Sequence, residues 1–131
     1  MLKPALSLAA AIVVAATTAP AEGISTHVLD LARGIGGEGI PVTLEMRSED
    51  GWNAVGEGTT AENGRVEAFG ADVEGGVYRL TFDLQGYDGF EGGEPPFFPE
   101  IAVEFRVVDA SEHYHVPIVL SPYGYSTYRG N

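Results

Sequence analysis

The side chains of this sequence that could do chemistry are few: three histidines, an arginine that follows a glycine, and a carboxy-terminal end dense in tyrosines and hydroxyls. His113 and His115 lie two residues apart near the end of the chain, and His27 lies near its beginning. Imidazole can take up and return a proton near neutral pH, so these residues suit general acid and base work on a hydrolysed bond. The plainer reading of any one of them is a solvated or hydrogen-bonded strand residue. Arg65 follows the turn signal Asn63-Gly64. Its fork of fixed donors could hold an anionic ring or stabilise an oxyanion, although most arginines so placed are simply solvated. A third possibility is metal binding, with His27, His113 and His115 as a three-nitrogen zinc site. The absence of cysteine excludes thiolate catalysis, cysteine metal ligands and disulfides. The chain also has no HExxH pair, no phosphate-cradling glycine loop and no GxSxG elbow, so protease, nucleotide-binding and serine-esterase readings lose support.

Short strands must position these residues. Tyr78, Leu80, Phe82 and Leu84 alternate with Val77, Arg79, Thr81 and Asp83 in the two-residue period of a half-buried strand. Residues 100–109 repeat the pattern, with Ile101, Val103, Phe105 and Val107 on one face. In residues 113–120, Tyr114, Val116, Ile118 and Leu120 share a face, so His113 and His115 share the other with Pro117 and Val119. Pro117 cannot donate to a ladder, which suggests an edge strand, and a subunit contact could cover that face. Residues 24–30 form a plausible first strand carrying His27. Residues 41–49 place Val42, Leu44 and Met46 together, and Glu49-Asp50-Gly51 supplies a hairpin turn into Trp52. Residues 85–99 have no period and read as a loop with at most one helical turn near residues 87–90, capping an end of the sheets. The 18 glycines and 8 prolines punctuate these segments. The expected fold is all-β: a two-sheet sandwich of seven or eight strands with one short helix.

Composition bounds the rest. A chain of 131 residues, 44% hydrophobic and 20% charged, fits one compact domain. Lys3, the apolar run of residues 5–16 and Ala19-Pro20-Ala21 read as a secretory signal peptide over residues 1–21, with the mature domain over residues 22–131. The apolar run is shorter than the ~20 residues of a spanning helix. Secretion, into a periplasm or out of the cell, follows, with no membrane association after cleavage. Loss of Lys3 leaves six arginines against 19 acidic residues, a formal charge of −13. Such a surface repels nucleic acid and anionic lipid and favours a small-molecule partner. The aromatic, arginine-bearing ending, without a charged or disordered tail, suggests a docked terminus where most chains fray.

Taken together, STHVLD with Gly39-Ile40-Pro41-Val42, the segment Thr60 to Arg65, and HYHVPIVLSPYGYSTYRG resemble the 5-hydroxyisourate hydrolases, the enzyme branch of the transthyretin family. The three segments occur in family order, the last is highly specific, and the resemblance covers residues 24–131. It implies a transthyretin-like sandwich in which His27, Arg65 and His115 match the catalytic trio. Tyr128 matches a substrate-binding tyrosine of the terminal tetrapeptide, and His27 and Arg65 contact substrate as well. It implies hydrolytic opening of 5-hydroxyisourate to 2-oxo-4-hydroxy-4-carboxy-5-ureidoimidazoline in urate breakdown, with no organic cofactor; no metal is assigned to the site, although the residues by themselves leave zinc open. It also implies a homotetramer, a dimer of dimers with sites between the dimers. Two departures stand out: Gly36-Gly37 replaces a proline-alanine pair, which should loosen a loop, and Asn131 replaces the usual terminal serine.

On this reading a histidine deprotonates water for attack on the ring carbonyl, and Arg65 holds the substrate and stabilises the developing negative charge. His27 and His115 share the proton work. The rival readings are a carrier, since transthyretin uses the fold to carry a hormone, and a metal-binding or structural sandwich that leaves Arg65 idle.

Overall fold

The computed structural model describes residues 23–131; the expected signal peptide lies outside the described residues. Nine strands form: β1 (Gly23–Asp30), β2 (Ile35–Gly36), β3 (Pro41–Ser48), β4 (Gly51–Thr59), β5 (Arg65–Val66), β6 (Gly76–Asp83), β7 (Glu100–Val107), β8 (His113–Ser121) and β9 (Gly124–Thr127). The count exceeds the expected seven or eight by two-residue pieces, β2 and β5, which are too short to show a period. The short helix is a single 3-10 turn at Glu91–Gly93, just after the expected place, and Gly92 breaks its geometry at φ 88°.

One sheet runs β2-β1-β8-β9 with β5 also paired to β1; the other runs β4-β3-β6-β7. The alternating strands bury the faces their periods indicate. Tyr78, Leu80 and Phe82 of β6 meet Ile101, Val103 and Val107 of β7 and Val42 and Leu44 of β3 in one core, completed by Ile24, Val28, Tyr114, Val116, Ile118 and Leu120 of the facing sheet. Each such aliphatic or aromatic side chain stabilises the fold by about 1.5–3 kcal/mol through removal from water. The turn between β3 and β4 closes at Glu49-Asp50, with Ser48 opposite Gly51.

The pairing that matters for function is β1 with β8. These strands run parallel, with Ser25 beside His115 and His27 beside Pro117, and so bring the two ends of the described chain together. Strand β8 is therefore interior, flanked by β1 and β9, and the edge position suggested by Pro117 is not what forms. Strand β9 stops at Thr127, opposite Ile118, and the antiparallel register resumes with Gly130 opposite His115. The missing donor of Pro117 thus falls at the gap between those two points.

The loop of residues 85–99 is tied down at both ends. Tyr87 donates its hydroxyl to buried Asp30 at 2.6 Å, and Arg33 bonds the same carboxylate at 3.0 Å. Phe98 packs edge-on against Tyr125 of β9 at 5.2 Å. Through Tyr87 and Phe98 the loop packs against both β1 and β9 of one sheet.

Candidate active site

The outer face of the β1–β8 sheet carries the candidate residues in two adjacent rows. In the first, Arg65 of β5 is the cross-strand partner of His27, and Pro117 flanks His27 on the other side. In the second, Ser25 stands beside His115, and Gly130 lies beyond it. Directly paired residues project from the same face, so Arg65, His27, Ser25 and His115 share one surface. Their neighbours Thr26, Val66 and Val116 point into the core. The sheet thereby assembles His27, Arg65 and His115 from three strands.

Arg65 reaches this position because Gly64 lets the turn press against β1. Gly64 has φ +80°, and its nitrogen is 2.8 Å from the Ala61 oxygen. A side chain there would overlap the Val28 carbonyl, which itself accepts a bond from Gly37 at 2.9 Å. Gly36 is equally confined: a Cβ on it would stand 2.5 Å from the Asn63 oxygen and 2.6 Å from the Gly64 nitrogen. The Gly36-Gly37 pair therefore does not loosen a loop. It permits close contact between β2 and the turn that delivers Arg65.

His115 is held on two edges. Its Nδ1 lies 2.7 Å from the Ser25 hydroxyl, whose other partner is His113 Nε2 at 2.8 Å. On the opposite edge, Gly130 packs so closely that a Cβ would lie 2.6 Å from His115 Cδ2. The Gly130 amide also donates to the His115 carbonyl at 2.7 Å, so the terminus is docked on β8. The His113 and His115 rings stack at 6.4 Å with 17° between their planes.

Burial, then the nearby Arg65 charge, lower the pKa of both His27 and His115 below the ordinary 6.5. For His115, His113 and His27 act in the same direction. Glu67, and for His27 also the Asn63 backbone, pull the other way. Both rings are thus kept neutral and able to accept a proton at physiological pH.

Not every residue singled out from sequence is gathered in. Tyr128 is 55% exposed, and among the described residues no hydrogen bond joins it to the histidines or Arg65. Arg129 turns to the opposite side, over the Tyr114 ring at 4.5 Å and towards Glu112 at 3.2 Å. Among the described residues no group of three or more histidine, cysteine or carboxylate side chains converges as a metal site. His113 and His115 meet on Ser25 instead. Ser25 and Glu67 were missed from sequence. Each lies two residues from a recognised one, Ser25 before His27 and Glu67 after Arg65, and the strand period alone would place them on the same face.

Comparison with known proteins places the fold in a family. Residues 24–130 match the HIUase/Transthyretin family. A 5-hydroxyisourate hydrolase of Salmonella dublin is 42% identical over 111 residues, which cover 82% of this chain and 80% of that protein. The enzyme of that name from Deinococcus radiodurans is 41% identical over 114 residues, covering 83% and 96%. Among solved structures, Klebsiella pneumoniae 5-hydroxyisourate hydrolase superposes with a TM-score of 0.70 at 30% identity, covering 84% of this chain and 99% of that one. Sparus aurata transthyretin superposes at 0.73 with 25% identity, covering 82% and 95%. With the two-sheet topology and these matches over most of its length, the chain belongs to the HIUase/Transthyretin family.

Proposed function

We propose that this protein hydrolyses 5-hydroxyisourate to 2-oxo-4-hydroxy-4-carboxy-5-ureidoimidazoline, a step of urate degradation. The observation that carries the reading is the pairing of His27 with Arg65 in one row and of His115 with Ser25 in the next, which sets two neutral imidazoles and a guanidinium on one face. A hormone-type carrier has no need of paired proton acceptors beside a cation, and the hydrolase relatives give the same direction.

In the proposed reaction, a water on this face loses a proton to an imidazole as its oxygen bonds to the ring carbonyl carbon. The carbonyl oxygen gains negative charge, which Arg65 stabilises through its fixed N–H donors. Collapse of the tetrahedral intermediate breaks the ring C–N bond, and the proton held by imidazole passes to the leaving nitrogen. The carboxylate product keeps the oxygen taken from water. His27 and His115 divide this proton traffic, and the terminus docked through Gly130 closes one side of the substrate.

The site lies on an outer sheet face, with Leu29 and Val119 on the same side and Leu31 67% and Ile35 51% exposed nearby. Burial of that face by other copies in a tetramer, a dimer of dimers, would enclose substrate and exclude water. The amino-terminal segment acts as an export signal, so the mature enzyme works in the periplasm or outside the cell. Mass spectrometry of the exported protein tests cleavage after Ala21, and light scattering tests the tetramer.

The decisive experiment generates 5-hydroxyisourate with urate oxidase and follows its disappearance by absorbance, against spontaneous decay, with purified protein treated with chelator. Wild-type turnover well above background is expected, with loss of about 100-fold or more in His27→Ala and Arg65→Ala. Turnover no faster than background, together with tight binding of an apolar ligand, would transfer the assignment to a carrier.

A further inference from the structure

The Ser25 hydroxyl is buried, 3% exposed, and its oxygen lies within hydrogen-bond distance of two imidazole nitrogens, His115 Nδ1 at 2.7 Å and His113 Nε2 at 2.8 Å. A hydroxyl carries one proton. It can donate to only one ring and must accept from the other, so the tautomers of the two histidines are coupled. If Ser25 donates to His115, the proton of neutral His115 sits on Nε2 and the outward nitrogen is not a base. If Ser25 donates to His113, His115 carries its proton on Nδ1 and Nε2 is a free acceptor. The Gly130 backbone lies along the opposite, Cδ2 edge of the ring, where an added Cβ would stand 2.6 Å away.

We infer that Ser25 is a positioning residue that holds His115 in the Nδ1–H tautomer, leaving Nε2 to accept the proton of water, and links it to His113 as a proton outlet. This rests on the hydrolase reading above. The transfers balance. His115 Nε2 gains a proton from water, Nδ1 gives its proton to the Ser25 oxygen, and the original hydroxyl proton passes to His113 Nε2. His115 then stands neutral with its proton on Nε2, able to donate it to the leaving nitrogen. Return of the His113 proton through Ser25 resets the pair. His113, which the catalytic trio leaves without a role, becomes the outer member of this chain.

The charged and titratable groups around His115 are His27 on β1, Arg65 on β5, Glu67 after it, and His113 on its own strand. The carboxy-terminal segment contributes Gly130 there, because Arg129 faces Glu112. A variant at Ser25 leaves these charges in place, so a shift of the pH profile reports the hydroxyl.

The first measurement uses unaltered protein labelled with 15N-histidine. Above the ordinary histidine pKa of about 6.5, ring spectra should show His115 protonated at Nδ1 and His113 accepting at Nε2. The reverse pattern, or averaging of the two tautomers, would overturn the inference. The second compares Ser25→Ala with Ser25→Thr, which keeps a hydroxyl. The alanine variant should lose about 10- to 100-fold in kcat with KM within about twofold, its acid limb should move to lower pH, and threonine should recover most of the rate. An unchanged kcat, or a loss confined to KM, refutes the role of Ser25. The two readings fail separately: wild-type inactivity overturns the hydrolase assignment, whereas a wrong ring pattern in an active enzyme overturns Ser25.

Discussion

Gly130→Ala offers a stringent test of how the terminus serves the site. The added methyl would stand 2.6 Å from His115 Cδ2 and 3.4 Å from both His115 Cγ and Pro117 Cγ. Carbon atoms pack comfortably at about 3.5–4.0 Å, so the Cδ2 contact alone is short by about 1 Å. Either the ring moves away, which disturbs the 2.7 Å contact of Nδ1 with Ser25, or the terminal segment lifts from β8 and gives up the 2.7 Å bond from the Gly130 amide to the His115 carbonyl. The structural cost is small in both cases, because one hydrogen bond at a chain end is worth about 0.5–1.5 kcal/mol. The catalytic cost is larger: displacement of a reacting group by about 1 Å can lower the rate about 100-fold, or about 2.7 kcal/mol of transition-state stabilisation. The expected result is a melting temperature lowered by no more than about 8 °C, with kcat reduced about 100-fold in the urate oxidase-coupled assay. Asn131→Ala, exposed at the end of the chain, is the control and should leave stability near wild type. A Gly130→Ala enzyme with wild-type kcat would refute the argument that the docked glycine sets the His115 ring.

Because burial and Arg65 depress the His27 and His115 pKa values below 6.5, the acid limb of kcat/KM should be centred below that value; an acid limb centred above 6.5 would contradict the neutral-base assignment. The same sign governs stability. The folded state binds fewer protons than the unfolded one, so the contribution is present above 6.5 and is lost as pH falls through the folded values, which denaturant melts at several pH values would register. Tyr87→Phe removes the hydroxyl that donates to Asp30 at 2.6 Å while Arg33 still pairs with that carboxylate. A loss of about 1–2 kcal/mol in urea unfolding is expected, with kcat unchanged. Gly64→Ala meets both φ +80° and the Val28 carbonyl. Displacement of the Arg65 turn should raise KM and lower kcat together, and calorimetry should show a loss of about 1–3 kcal/mol.

Much of the sheet surface could be read from residue order. A period of two is a local property of an extended backbone, so it sorted Tyr78, Leu80 and Phe82 into the core and separated His113 and His115 from Tyr114 and Val116 before any neighbour was known. The turn at Asn63-Gly64 and the family segments around His27, Arg65 and His115 were equally local. What alternation cannot give is which strand lies alongside and in what register, because those depend on contacts between residues far apart in the chain. The parallel pairing of β1 with β8 sets Ser25 against His115 across a separation of 90 residues. The β1 and β9 pairings made β8 interior despite Pro117, the pairing of both β2 and β5 with β1 turned Gly36 into a contact with the Arg65 turn, and Arg129 points away from the face that Gly130 completes. Residue order alone assigns the side of each strand that bears the chemistry. Which of those side chains touch depends on register, and register is set by packing of the whole core rather than by any one strand.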